Sequence, residues 1–152
     1  MAPAPTTPSR DPEFTVRLTI GSRLELLSMV HALLEGLGRQ FSLDEEWVQA
    51  VQIAVIEAGT NAIQHGNVFA EDKAVTFDFR LDDAELTVEV DDYGRGFDPS
   101  RLADPTDPSS LLNPSGRGVF LMRELMDDVA FDTRPDHGTR VVLRKARPAP
   151  SR

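Results

Sequence analysis

Eleven prolines, gathered in four places, decide where regular structure can form in this chain of 152 residues. They stand in the first twelve residues, between Pro99 and Pro114, at Pro135, and at Pro148 and Pro150. Proline removes a backbone donor and breaks helix interiors, so helices and strands must lie in the intervals between. The ends, 1–13 and 146–152, read as disordered tails around a single domain spanning 14–145. Within that domain Phe14, Val16, Leu18 and Ile20 alternate with Thr15, Arg17 and Thr19, which predicts a strand with one buried face. Ser22 with Glu25, and Ser42 with Glu45, have the spacing of capping boxes, each followed by helix-period apolar residues. Val75, Phe77, Phe79 and Leu81, then Leu86, Val88 and Val90, alternate on either side of Asp82 and Asp83, as in an antiparallel hairpin. A third helix is expected near Gly118. Strands are expected near 128–134 and 139–145, joined by a turn through Pro135, Asp136, His137 and Gly138.

Strands with one apolar and one polar face belong to a sheet covered on one side. The expected fold is therefore an α/β two-layer sandwich, with a mixed, largely antiparallel sheet covered on one face by helices. Leu24, Leu27, Val30, Val51, Val55 and Met122 should supply that cover, with the segment from Asp98 to Ser115 lying across a cleft as a loop. No apolar run reaches the roughly 20 residues of a membrane span, and the start lacks the apolar core of a signal peptide. The absence of cysteine fits a reducing compartment, the cytoplasm, and leaves only oxygen or nitrogen to bind a metal. A formal charge of −9 argues against direct nucleic-acid binding. The local cluster of Arg140, Arg144, Lys145 and Arg147 reads instead as a solvated strand edge and tail.

Three segments carry the chemistry. In IAVIEAGTNAIQHGN, residues 53–67, Glu57, Asn61 and His65 are one helical turn apart and border an apolar face of Val51, Ala54, Val55, Ala58 and Ala62. Asn61 offers a hard oxygen of the kind magnesium prefers, and Glu57 a carboxylate able to take a proton from an attacking hydroxyl. Each can equally be a solvated helix residue or a local hydrogen-bonder, and His65 a helix C-terminal residue favoured by the dipole. Gly59, inside this helix, costs about 1 kcal/mol against alanine. In DDYGRG, Asp92 at a strand end can accept from an exocyclic amine, while Gly94 and Gly96 let the backbone approach a flat base. The same residues suit an ordinary turn. In PSGRGVFLM, Gly116 and Gly118 stand before a helix, where bare N–H groups form an anion site, or where an N-cap simply has glycines beside it. The three together, in this order, suggest a nucleotide site.

These segments resemble the GHKL ATPase and kinase superfamily with its Bergerat ATP-binding fold, and in particular its anti-sigma-factor serine kinase branch. EAGTNAIQHGN matches the N box, DDYGRGFDP the first glycine box, SGRGVFLMRELMDDV the second, and HGTRVVL the closing strand. The resemblance implies Glu57 as catalytic base, Asn61 as magnesium ligand and Asp92 as the adenine-recognising acid. It implies Gly94 and Gly96 in the base pocket, Gly116 and Gly118 in the phosphate-binding part of a lid spanning about 98–117, and Thr139 near the adenine. ATP and Mg2+ are the implied cofactors. The implied partners are a sigma factor, held inactive, and a STAS-type antagonist phosphorylated on serine or threonine. A homodimer is compatible with the resemblance, although no exposed apolar stripe marks an interface. Tyr93 stands where relatives often carry a small polar or acidic residue, and Asp91 adds negative charge beside the site. Two other readings compete: a non-catalytic ATP-binding regulator, and a detached histidine-kinase-type catalytic domain. The second needs a dimeric helical domain with a phosphorylatable histidine, for which this chain has no room; His31 reads as a helix residue.

Overall fold

The computed structural model describes residues 11–94, 114–134 and 137–149. Five strands form one sheet: β1 (Phe14–Gly21), β2 (Ala74–Leu81), β3 (Glu85–Asp91), β4 (Asp128–Arg134) and β5 (Gly138–Ala146). Their order is β1-β2-β3-β5-β4, and every pairing is antiparallel, so the sheet is simpler than the mixed one expected. Three helices, α1 (Leu27–Gln40), α2 (Glu45–Asn61) and α3 (Pro114–Leu125), cover it, with α2 packed between the other two. No helix among the described residues is long and apolar enough to cross a membrane.

The alternation along β2 and β3 does what its period requires. Phe77, Phe79 and Leu81 face Leu86, Val88 and Val90 in register on the covered side, and all six are buried. The hairpin turn is fastened by Asp82, whose Oδ1 accepts the N–H groups of Ala84 at 2.7 Å and Glu85 at 2.8 Å. Val30, Leu34, Val51, Val55, Ala58 and Met122 close the core from the helical layer. Leu24, expected among them, is 38% exposed. It lies in a short 3₁₀ turn, Leu24–Leu26, that precedes α1.

Both expected capping boxes give way to other partners. Ser22 Oγ donates to the Lys73 carbonyl at 2.6 Å, so it is spent on a long-range bond, and Glu25 pairs with Arg23. At α2 the cap is Asp44, whose carboxylate accepts the Trp47 N–H at 3.1 Å, while Ser42 lies further upstream at φ 50°. Helix α3 starts at Pro114, a residue preset for the first helical position, and so earlier than Gly118.

Gly59 has a packing reason. A Cβ there would stand 2.7 Å from Leu27 Cδ2 and 3.0 Å from Phe77 Cζ, so its absence lets α2 settle against both α1 and the sheet. The paired chain runs slightly past the expected limits. The Glu13 N–H donates to the Leu81 carbonyl at 2.8 Å, and the Arg147 guanidinium reaches the Asp82 carbonyl at 3.0 Å.

Candidate functional site

Glu57 and Asn61 occupy successive turns of α2, as the helical spacing predicts; Glu57 is half-buried and Asn61 buried. Across from them stands Gly118 of α3. A Cβ on Gly118 would lie 2.8 Å from Glu57 Oε2 and 3.6 and 3.7 Å from the two ends of the Asn61 amide. Backbone without a side chain thus faces a carboxylate and a carboxamide. Burial raises the Glu57 pKa above the ordinary carboxylate value, and the Arg117 charge opposes that rise in part. The Asn61 Nδ2 is buried and has no partner among the described residues. Among the described residues no bond holds Nδ2 in place, and a half-turn of the amide would set the carbonyl oxygen there instead. An orphaned amide of this kind fits a hard cation.

Beyond Asn61 the helix widens. Ala62–Gly66 form a π turn, and the Asn67 N–H bonds back to the Ala62 carbonyl at 2.8 Å. Such turns are rare and concentrate at functional sites. The wider turn holds His65, whereas Glu57 and Asn61 stand on the regular α-helix before it. It also delivers Gly66 directly against the Asp92 carboxylate, where a Cβ would overlap it.

Asp92 follows β3 and is 2% exposed. Its Oδ1 accepts from the Gly94 N–H at 3.1 Å and the Thr139 N–H at 3.2 Å, and its own N–H donates to the Thr139 carbonyl at 3.1 Å. Its Oδ2 takes no hydrogen bond among the described residues, leaving an acceptor for a ligand. Burial raises the Asp92 pKa; the two backbone bonds oppose this, the Asp91 charge adds to it, and Lys73 opposes it weakly. A Cβ on Gly94 would overlap the Gly66 carbonyl, and one on Gly138 the Asp92 carbonyl. Gly138 also has φ 86°, a conformation that favours glycine.

Asp92, Gly94 and Thr139 are therefore brought together as expected, and Gly66 and Gly138 join them. Those two read in the sequence as a helix end and a turn, because their contacts cross from one element to another. Gly116 lies within the first turn of α3 rather than ahead of it, and Gly118 is inside the helix too. Gly96 lies outside the described residues. So does the expected lid up to residue 113, and 114–117 belong to α3.

The charge beside the site is answered. Asp91 points to the open face of the sheet, where Arg140 grips it from Nε at 2.7 Å and Nη2 at 3.3 Å and Arg134 approaches to 3.6 Å. The other members of the basic cluster are engaged as well: Arg144 with Asp128 at 3.7 Å, Lys145 with the Leu125 carbonyl at 2.7 Å, and Arg147 with Glu13 at 3.2 Å. Tyr93 is 51% exposed. His31 is exposed on α1.

Residues 20–145 match the family model described as the histidine kinase-like ATPase domain. The chain belongs to that family. Within the histidine kinase-like ATPase family it is 29% identical to the serine-protein kinase RsbW of Listeria innocua over 136 residues, 86% of this chain and 85% of the relative. It is 34% identical over 106 residues to the anti-sigma F factor of Clostridium botulinum, covering 68% of this chain and 73% of the relative. Among solved structures, the RsbU and RsbW domains of a Mycobacterium tuberculosis protein superpose with a TM-score of 0.66 at 18% identity. That match spans 91% of this chain and 34% of the larger one, and what it shares is the fold. The family carries an ATP-binding domain, and its relatives here are named as serine-protein kinases and anti-sigma factors.

Proposed function

We propose that this chain is an ATP-dependent protein serine/threonine kinase that also acts as an anti-sigma factor. On this reading it holds a sigma factor and phosphorylates a STAS-type antagonist in the cytoplasm. The observation that carries the enzymatic part is the meeting of Glu57 and Asn61 with the side-chain-free backbone of Gly118. Phosphoryl transfer asks the protein for positioning and charge stabilisation more than for covalent chemistry. Glu57, its pKa raised by burial, accepts the proton of the attacking serine or threonine hydroxyl. Gly118 and Gly116 leave room for phosphate against α3. Asp92 Oδ2 accepts from the exocyclic amine of adenine, Gly94 passes close to the base, and Thr139 helps hold the carboxylate through its N–H; the resemblance adds Gly96 to the base pocket. Asn61 would hold magnesium together with the phosphates, and the ion would supply charge neutralisation at the transferring group. Support for the partners comes from the relatives named serine-protein kinase RsbW and anti-sigma F factor.

Calorimetric titration with ATP, with and without magnesium, followed by incubation with labelled ATP and STAS proteins encoded near the gene, tests the reading. Magnesium-dependent binding with transfer to a serine or threonine supports it, and Asn61→Ala should then abolish the magnesium-dependent binding. Binding without transfer to any STAS protein overturns the kinase assignment in favour of a non-catalytic, nucleotide-gated regulator.

A further inference from the structure

We infer that Asn67 is a positioning residue that sets adenine selectivity by holding the Asp92 loop against the end of α2. Asn67 is 3% exposed, and its amide is used at both ends. Nδ2 donates to Ser22 Oγ and to the Ala74 carbonyl, each at 2.9 Å, and Oδ1 accepts the Tyr93 N–H at 2.8 Å. Ser22 is itself anchored to the Lys73 carbonyl. One side chain therefore joins the end of β1, the start of β2, the end of the π turn and the residue directly after Asp92. The Tyr93 peptide lies between Asp92 and Gly94, whose N–H is one of the two that orient the Asp92 carboxylate. Fixing Tyr93 thus fixes both the acid and the bond that aims it.

The backbone supplies a second observation. Val68 and Phe69, the two residues after Asn67, have φ 51° and φ 58°, and both side chains are exposed, at 68% and 50%. Left-handed backbone is unusual for a β-branched residue and persists where neighbouring structure over-determines it. The chain accepts this strain immediately after seating Asn67 in its three-way bond. The Phe69 N–H, bonded to the Ile63 carbonyl at 2.9 Å, closes the corner back onto the π turn.

The inference rests on the proposed role of Asp92, and three variants separate the two. ATP and GTP affinities are measured by titration, and thermal midpoints without nucleotide, for the full chain and for Asp92→Asn, Asn67→Ala and Asn67→Asp. Asn67→Asp keeps an acceptor for the Tyr93 N–H but sets a carboxylate oxygen against the Ala74 carbonyl. It should lower the thermal midpoint yet keep the ATP-over-GTP preference within about twofold of the parent, under 0.5 kcal/mol. Asn67→Ala should lower the midpoint and also reduce that preference by roughly tenfold, 1.4 kcal/mol. Should Asn67→Ala give no soluble protein, Asn67→Ser, too short to reach Tyr93, replaces it with the same expectation. A preference that falls alike in the Asp and Ala variants, or in neither, assigns Asn67 a purely structural role and overturns the inference. If Asp92→Asn leaves the preference intact, the adenine role of Asp92 fails and the selectivity role of Asn67 falls with it.

Discussion

Gly66 lies so close beneath Asp92 that a single methyl group on its α-carbon would overlap the carboxylate. The end of the helix bearing Glu57 and the acid at the end of β3 are thus in direct contact, with no side chain between them. Gly66→Ala must push the acid or the π turn aside. Because two glycine-lined backbones meet here, the cost should fall on ligand binding: ATP affinity should drop by roughly tenfold or more, ~1.4 kcal/mol, as read by titration.

Gly118→Ala separates stability from chemistry. Alanine in a helix interior gains roughly 0.5–1 kcal/mol over glycine, and the atom its Cβ would crowd is the far end of the Glu57 side chain, 2.8 Å away. Thermal stability should hold or rise while phosphoryl transfer falls. A variant that loses stability and transfer together would point to a disturbed helix instead.

The pH dependence has a definite sign. Burial raises the pKa of Glu57, so as a base it should come into use only as pH climbs past the ordinary carboxylate range, and the transfer rate should rise with pH through that raised value. Glu57→Gln should lower transfer by about 10²–10⁴-fold and keep ATP affinity. Arg117 opposes the rise, so Arg117→Ala should move the rate profile to higher pH. Salt should blunt that movement because Arg117 is exposed. A rate profile in Glu57→Gln identical to the parent's would remove Glu57 from the reaction.

Stability carries the same signature. The folded state holds its proton on Glu57 and Asp92 to higher pH than the unfolded chain does, since both pKa values are raised. The contribution is full below the ordinary carboxylate range and declines as pH rises through the raised values. Asp92→Asn keeps an oxygen for the Gly94 and Thr139 N–H groups and removes the Asp92 share of this decline. Its thermal midpoint should match the parent at low pH and equal or exceed it at neutral pH.

Gly59→Ala should destabilise despite the better helix propensity of alanine. Its Cβ would press on Leu27 and on the fully buried ring of Phe77, and overpacking of this kind costs about 1–3 kcal/mol against a propensity gain of about 1 kcal/mol. Chemical denaturation should show a net loss of about 1 kcal/mol.

The parts legible in the sequence are those fixed by local period. The β2–β3 hairpin, the α2 positions of Glu57 and Asn61 and the closing pair of strands follow from alternation and helical spacing. What escaped is set by contacts between elements. Ser22 has the spacing of a cap, but its hydroxyl is claimed by Lys73 and Asn67 from far along the chain. Asp44 caps α2 because it alone among the polar residues there stands three before Trp47 with its carboxylate in reach. Gly66 and Gly138 look like punctuation until Asp92 is placed beside them. The π turn has no period of its own to betray it, and so His65 reads as one step further along a straight helix.

The register that pairs Asp91 with Arg140 ties the surroundings of Asp92 to the core. Slipping β5 by one residue along β3 would turn Thr139 outward with Arg140 inward, and would expose Val141 and Leu143 in the same stroke. Any shift that re-aimed Thr139 would thus also uncover the core, so neither can be turned over alone. The strand that holds Asp92 by one backbone N–H is locked in place by the apolar residues that follow it.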